Sequence, residues 1–247
     1  MVYAEASRRT TFAGAARRLG LYALVTAAIL GLAGIAWTVN DSISRHHDRI
    51  ALKGLNGKPS PVAVTVGSEP LVIPANLIRS PTDRRGGLVT AMDLLVHWPS
   101  LDGFSEERAE VFRDGSPRAP LIYVTITEAE APLDATKRLT EIYGLYFKSP
   151  AFPGPGHLVG RHMDAESAYR DEIVYFEPRV AEPYVVRCLA EETEEVSATC
   201  IREVNIGHGL TMLYRFNRAW LGDWRTMDDR LRRLVSQFFR STPGITP

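Results

Sequence analysis

The feature that most constrains this chain is an apolar run of 21 uncharged residues, from Leu19 to Val39. A helix rises about 1.5 Å per residue, so the run would measure roughly 30 Å, which is the thickness of the hydrocarbon core of a bilayer. It has no polar face, unlike a helix that covers a soluble core. The run predicts a single transmembrane helix over residues 19–39, with the lipid bilayer as its partner.

A cleaved signal peptide is the alternative interpretation of this segment. The apolar region of a signal peptide is usually only about 7–15 residues long, which is shorter than this run. Gly34-Ile35-Ala36 is, however, a small-x-small triplet of the kind that a signal peptidase accepts. The length favours an uncleaved anchor, whereas cleavage near Ala36 would release a soluble exported protein.

The flanking charges predict the orientation of the anchor. Arg17 and Arg18 directly precede the apolar run, whereas the polar residues Asn40 and Asp41 follow it. Lysine and arginine next to a transmembrane segment favour the cytoplasmic side. Residues 1–18 are therefore predicted to be a short basic cytoplasmic tail. The rest of the chain is predicted to lie on the extracytoplasmic, periplasmic side of the cell inner membrane.

The chain has two cysteines, and they lie in strand-like runs on either side of the polar sequence Glu191–Glu195. If the runs form a hairpin centred on Glu194, Cys188 and Cys200 are opposite each other, since each is six residues from the centre. Opposed Cβ atoms are about 4.5–5.5 Å apart, which a small adjustment brings within disulfide range. We expect a disulfide, which suits an exported domain; two unrelated buried thiols are the alternative.

The last part of the sequence has the clearest helical periodicity. Seven apolar side chains recur there, and at about 100° per residue they lie within an arc of roughly 140°. We expect this helix to cover one face of a sheet rather than to lie in a membrane interface. The apolar residues are Trp224, Met227, Leu231, Leu234, Val235, Phe238 and Phe239.

The remaining pattern predicts a juxtamembrane stalk over residues 40–60 and one extracytoplasmic domain over residues 61–247. The predicted class is α+β, with an antiparallel or mixed sheet covered by helices and an amphipathic C-terminal helix. Strands are predicted at Val62–Val66, Leu71–Ile73, Leu88–Trp98, Leu121–Thr127, Glu172–Glu177, Leu210–Phe216 and both arms of the cysteine hairpin. Helices are predicted to begin near Ser105 and Asp134, and Ser149–Gly156 is predicted to be irregular.

No sequence motif indicates catalysis, a cofactor or a metal. The six histidines show no HExxH pattern, there is no Gly-x-Ser-x-Gly, and Gly154-Pro155-Gly156 lacks the lysine of a phosphate-binding loop. The 29 basic and 29 acidic residues balance, so the net charge gives no indication of nucleic-acid binding. We therefore expect no catalytic, cofactor or metal site and no nucleic-acid partner.

The densest group of candidate binding residues is in the sequence PANLIRSPTDRRGG. Arg79, Arg84 and Arg85 lie within seven residues there, in a loop that its prolines stiffen. Arginine binds carboxylates and phosphates through a planar fork, so the loop could bind an anion, an acidic partner or a lipid headgroup. Solvated arginines that pair with glutamates of the same chain explain the cluster equally well.

Small residues recur every four positions in the predicted anchor, at Ala23, Ala27 and Gly31. Such a seam lets another transmembrane helix approach closely, from a membrane-protein partner or from a second copy of this chain. Chance placement of common small residues is the alternative. The sequence thus predicts a single-pass membrane protein that acts as a non-enzymatic accessory, scaffold or binding module of the cell envelope. An envelope enzyme whose site is scattered in the sequence is the alternative.

Overall fold

A computed structural model of the protein describes residues 54–114, 116, 118–129, 137–148, 150–190, 198–207 and 209–240. The predicted anchor, with its packing residues Ala23, Ala27 and Gly31, lies outside the described residues. Within the described ranges, no helix is both long enough and apolar enough to cross a membrane. These ranges form a mixed α+β fold with a large antiparallel sheet and a long C-terminal helix.

The first apolar runs of the domain form a three-stranded sheet. Apolar and more exposed residues alternate there, so that Val64, Val66 and Ile73 are buried. The strands are β1 (Pro61–Val66), β2 (Glu69–Pro74) and β3 (Gly87–Val89), in the order β2-β1-β3. β1 and β2 form an antiparallel hairpin, and β3 runs parallel to β1.

An eight-stranded antiparallel sheet makes up most of the domain. Its strands are β4 (Ala91–His97), β5 (Leu121–Glu128), β6 (Phe152–Pro153), β7 (Val159–His162), β8 (Glu172–Phe176), β9 (Val185–Leu189), β10 (Thr199–Ile206) and β11 (Leu210–Asn217). The spatial order is β4-β5-β11-β10-β9-β8-β7-β6. β5 and β11 are therefore neighbours although some 80 residues of sequence separate them.

The predicted strand Leu88–Trp98 is two strands, β3 and β4, which belong to different sheets. In one continuous strand, Leu88 would lie on the same face as Met92, because side chains alternate with a period of two. Leu88 is instead 78% exposed, whereas Met92 is fully buried, so the chain changes direction near Thr90. No glycine or proline separates the two strands in the sequence. The break shows only in the alternation of buried and exposed side chains, which does not continue from β3 into β4.

The helices are α1 (Ala109–Arg113) and α2 (Trp224–Arg240). α2 contacts β2, and its apolar residues join the main core together with the buried face of the large sheet. Met227, Leu231 and Val235 are each at most 1% exposed. The C-terminal helix predicted from the sequence is thus present and covers one face of the sheet. α1 packs on a smaller cluster around Phe104 and Leu121.

The predicted disulfide is present between Cys188 on β9 and Cys200 on β10. The two residues are directly opposite in the register of these strands, and both are almost fully buried in the main core. The described part of the chain contains no other cysteine and therefore no free thiol. In the chain-entropy description, closing a loop of this size contributes about 3 kcal/mol to stability.

The segment between β5 and β8 differs most from the sequence-based expectation. Residues 131–136, where the predicted helix begins, lie outside the described residues, and the chain then forms a π-helical turn at Arg138–Ile142 and a 3₁₀ turn at Tyr143–Tyr146. The stretch predicted to be irregular contains β6. β6 can pair with β7 because Gly160 has no side chain: a Cβ there would lie 2.5 Å from the ring of Phe152.

Candidate binding face

The large sheet has a second face, opposite α2, which we call the outer face. Cross-strand pairing aligns one row of outer-face residues from β4 to β7, which we call the arginine row. Adjacent strands are about 4.8 Å apart, so the row measures roughly 24 Å from β5 to β7. The row contains, in sheet order, Leu95, Tyr123, Arg215, Ile201, Arg187, Val174 and Arg161.

One end of the arginine row is covered by the segment 138–147. The guanidinium carbon of Arg187 lies 5.8 Å from the ring centroid of Tyr143 and 5.1 Å from that of Tyr169. Its Nη1 donates to a carboxylate oxygen of Glu172 at 2.8 Å. The guanidinium of Arg161 lies 4.7 Å from the ring of Phe147. Cation–π and ionic contacts within the domain therefore already use these two arginines.

Around Tyr123, next to the buried Leu95 at the β4 end of the row, the outer face is open, and we call this part the open end. The Tyr123 side chain is 42% exposed, and Arg215 lies directly opposite it on β11 and is exposed. On its other side, the guanidinium of Arg79 lies 5.6 Å from the tyrosine ring. In the described part of the chain, neither Arg79 nor Arg215 forms an ion pair. Two guanidinium groups flanking an aromatic ring are thus presented to solvent.

Backbone and side-chain contacts fix the position of this open end. The amide of Arg79 donates to the carbonyl of Asp93 at 2.9 Å, which attaches the loop to β4. The carboxylate of Asp93 accepts a hydrogen bond from the Thr125 hydroxyl at 2.7 Å. That carboxylate is therefore held by the neighbouring strand. The ring of Tyr123 stands on β5, a central strand paired on both sides.

An open groove with a volume of about 600 Å³ lies next to the open end, on β5, β10 and β11. Thr127 and Thr211 face each other in it across β5 and β11, with Leu213 beside them. One wall is the ion pair between Arg138 and Glu203, whose side chains are 25% and 31% exposed. Small-molecule sites of this size are usually enclosed and mostly apolar, whereas this groove is open and lined with hydroxyl and charged groups. It suits a protein segment better than a small ligand.

The three arginines predicted as a binding group are divided by the structure. Arg79 lies at the open end of the arginine row, whereas Arg84 and Arg85 lie in a 3₁₀ turn before β3. Arg85 is exposed. Nε and Nη2 of Arg84 are shielded from solvent and have no hydrogen-bond partner among the described residues. Burial lowers the pKa of Arg84, and the nearby Asp83 carboxylate partly opposes this effect.

A buried ionic cluster lies on the opposite side of the sheet, beneath α2. Nε and Nη2 of Arg202 donate to the two carboxylate oxygens of Asp228 at 2.9 and 3.2 Å. The Tyr214 hydroxyl and Nε of Arg232 donate to the same carboxylate at 2.8 and 2.9 Å. Nη1 of Arg202 donates to the carbonyl of Val185 at 3.0 Å. This network ties α2 to β9, β10 and β11.

The electrostatics of this cluster suit a structural role. Burial raises the pKa of Tyr214 and of Tyr184, so both phenols stay protonated and neither is a ready nucleophile. The Arg202 guanidinium stacks 4.1 Å from the Tyr184 ring, whose hydroxyl has no partner with hydrogen-bond geometry among the described residues. The Arg202 and Asp228 side chains are only 5% and 11% exposed, so a substrate could not reach them directly.

Of the six histidines, His97, His157 and His162 lie in the described residues, and no metal-binding group there contains them. His157 is exposed in a 3₁₀ turn, and the ring of His162 lies 5.1 Å from that of Phe152. Within the described ranges, no three His, Cys, Asp or Glu side chains are grouped as a metal site requires. Neither Tyr123 nor Arg215 belongs to a sequence motif. Only their alternation with buried neighbours on β5 and β11 indicates that they face outward.

Comparisons with known proteins show a shared fold. No protein-family model matches the chain, and no curated protein matches it in sequence. Smlt3025, an immunity protein of the Stenotrophomonas maltophilia type IV secretion system, matches with a TM-score of 0.55 at 16% identity, over 76% of this chain and 96% of that chain. The Neisseria meningitidis iron-regulated outer membrane lipoprotein FrpD gives a TM-score of 0.48 at 15% identity, over 76% of this chain and 99% of that chain. The likeness to Smlt3025 shows that the two chains share a fold.

Proposed function

We propose that this chain is a single-pass, membrane-anchored binding module of the cell envelope, and that it acts without catalysis. Its exported domain would hold a protein partner on the outer face. The observation that carries this proposal is the open end of the arginine row, where Arg79 and Arg215 flank the exposed ring of Tyr123. Tyrosine and arginine are enriched in protein interfaces and among the residues that dominate binding energy.

The chemistry of the open end specifies the kind of partner. Each guanidinium presents a planar set of donors that fits a carboxylate with two hydrogen bonds. The adjacent groove offers threonine hydroxyls to a polar segment of the partner. We therefore propose a partner that presents Asp or Glu side chains around an apolar or aromatic residue that covers Tyr123.

The predicted anchor and the disulfide support the proposed location of the protein. Disulfides persist in oxidising compartments, which supports an exported location for the domain with the Cys188–Cys200 bridge. The apolar residues 19–39 would hold it to the inner membrane, with the basic tail in the cytoplasm. A protein described as an immunity protein has the same fold, and an accessory role of that kind is what we propose for this chain.

Alanine substitutions at the open end test the binding surface. Partners of the full-length, detergent-extracted protein would be identified by affinity purification, and their dissociation constants would then be measured. We expect Tyr123→Ala and Arg215→Ala each to weaken binding by roughly tenfold or more, because residues of this type commonly contribute more than about 1.4 kcal/mol at an interface. Denaturant melts of each variant would show that the domain still folds.

Arg233→Ala is the matched control, since Arg233 is exposed on α2, on the opposite side of the sheet. It removes an arginine without touching the outer face, so we expect unchanged affinity. Equal affinity of wild type, Tyr123→Ala and Arg215→Ala for every purified partner would show that binding takes place elsewhere. A loss of affinity in Arg233→Ala alone would place it on α2.

A further inference from the structure

We propose that residues 81–88, which we call the arginine loop, form a second membrane contact that docks on anionic lipid headgroups. This inference rests on the proposed anchor. The loop contacts Gly54, the first described residue of the domain. A Cβ built on Gly54 would lie 2.4 Å from Cγ of Pro81, so the chain enters the domain directly beside the loop.

The length of the connecting chain limits how far the loop can lie from the predicted anchor. Only residues 40–53 separate the end of the predicted anchor from Gly54. A chain of this length reaches at most about 48 Å when fully extended. Because Pro81 touches Gly54, the same upper limit applies to the distance between the arginine loop and the end of the predicted anchor.

The side chains of the loop are those expected at a membrane surface. Leu88 is 78% exposed, the largest exposed fraction among the large apolar residues of the described part. Arg85 is exposed three residues away, and Arg84 lies next to it with Asp83 as the one acid of the loop. An arginine pairs with lipid phosphate, while a leucine enters the boundary between headgroups and acyl chains.

The backbone holds this arrangement in a fixed shape. Gly86 has a φ of 77° and lies so close to β1 that a Cβ would be 2.5 Å from the carbonyl oxygen of Ala63. β3 then pairs with β1, with Leu88 opposite Thr65. The side chain of Leu88 therefore projects from a paired strand, and Arg85 from the turn that precedes it. The loop does not need to be ordered by the membrane before it binds.

The chain between the predicted anchor and β1 has a net positive charge, which favours binding to anionic lipid. Arg45, Arg49, Lys53 and Lys58 lie between the anchor and β1, against Asp41 and Asp48. One exposed arginine and one leucine bind a membrane weakly by themselves. Tethering by the anchor gives the loop a high effective concentration at the bilayer, so a weak contact is enough to orient the domain.

A fluorescent label at position 88 tests the contact in the full-length protein. Leu88→Cys would be labelled with an environment-sensitive dye, since the native disulfide leaves no other thiol in the described domain. The protein would be placed in nanodiscs of phosphatidylcholine alone or with phosphatidylglycerol, each containing a headgroup-linked quencher. We expect quenching to be at least about twofold stronger in the anionic discs, and to fall towards the neutral level with Arg85→Glu, which reverses the exposed arginine of the loop.

The control label is Val180→Cys, at an exposed apolar residue in the connection between β8 and β9. Its quenching should not depend on lipid charge or on Arg85→Glu. Equal quenching of the Leu88 label in both lipids, or no effect of Arg85→Glu, would overturn the loop contact while leaving the anchor intact. If the protein does not stay in the discs after detergent removal, the anchor itself fails, and the loop contact fails with it.

Discussion

Replacing Asp228 with alanine is expected to lower the free energy of unfolding by about 3–5 kcal/mol. The substitution leaves the Arg202 guanidinium without its carboxylate in a site where the arginine side chain is only 5% exposed. It also removes the acceptor for the Tyr214 hydroxyl and for Arg232. A buried charge without its partner costs more than the intact pair contributes. Denaturant melts of the fragment 52–247, the unit that contains the whole domain, would measure this change.

The same carboxylate makes stability depend on pH. Burial alone would raise the pKa of Asp228, but the charges and hydrogen bonds of Arg202 and Arg232 outweigh burial, so its pKa in the folded state is lowered. This contribution is therefore fully present well above the unfolded pKa of about 3.9, and it is lost as the pH falls through the folded value. Between pH 5 and 3, roughly, the wild type should lose stability more steeply than Asp228→Asn.

Asp229→Ala is the matched control, because Asp229 is the next residue of α2 and is exposed. We expect it to change the free energy of unfolding by less than about 0.5 kcal/mol. If Asp228→Ala melts like the wild type, the ionic cluster is not formed in solution as the structure has it.

Leu231→Ala is the second substitution with a large expected effect, about 2–5 kcal/mol of unfolding free energy. Leu231 has no exposed surface and lies on the face of α2 that joins the main core. Leu234, one turn further along, is only partly buried, so Leu234→Ala should cost less. Melts of the same fragment would rank the two variants.

Arg233→Ala provides the control for the leucine variants, since it changes an exposed residue beside Leu234. It should stay within about 0.5 kcal/mol of the wild type. A Leu231→Ala variant with wild-type stability would mean that α2 does not form part of the core. In that case α2 would instead be an arm available for interactions.

Local patterns in the sequence predicted the parts of the fold that depend on local contacts. The cysteine hairpin could be aligned because one short connection fixes its register, and the disulfide follows from that alignment. The C-terminal helix could be recognised because its apolar arc requires only the geometry of one helix. The strand at Leu121–Thr127 is present as β5 because an apolar run rich in β-branched residues favours a central strand.

The sequence does not predict the ionic cluster, although the helical pattern indicates one member of it. At about 100° per residue, Asp228 lies between Val235 and Phe239, inside the apolar arc rather than on the polar side. An acid in that position needs a buried cation, but Arg202 is on β10, and its approach depends on how α2 docks. The sequence therefore shows that Asp228 requires a partner without showing which residue it is.

The candidate binding face depends on long-range pairing in the same way. The alternation within β5 places Tyr123 on the outer face, but only the pairing of β5 with β11 brings Arg215 beside it. The arginine cluster predicted from sequence proximity was divided for the same reason. Arg79 lies after β2 and is hydrogen-bonded to β4, whereas Arg84 and Arg85 lie in the turn before β3, which pairs with β1. Proximity in the sequence did not determine which arginine shares a surface with Tyr123.

Both proposals require that the domain be exported and still attached to residues 19–39. The most direct measurement is protease accessibility of the full-length protein, carrying a tag at each terminus, in bacterial cells converted to spheroplasts. We expect protease to remove the C-terminal tag from intact spheroplasts, while the N-terminal tag stays protected in the membrane fraction and the undigested chain keeps its full mass. A C-terminal tag cleaved only after the membrane is broken, or a soluble mature chain that begins near Trp37, would contradict a membrane-anchored exported module.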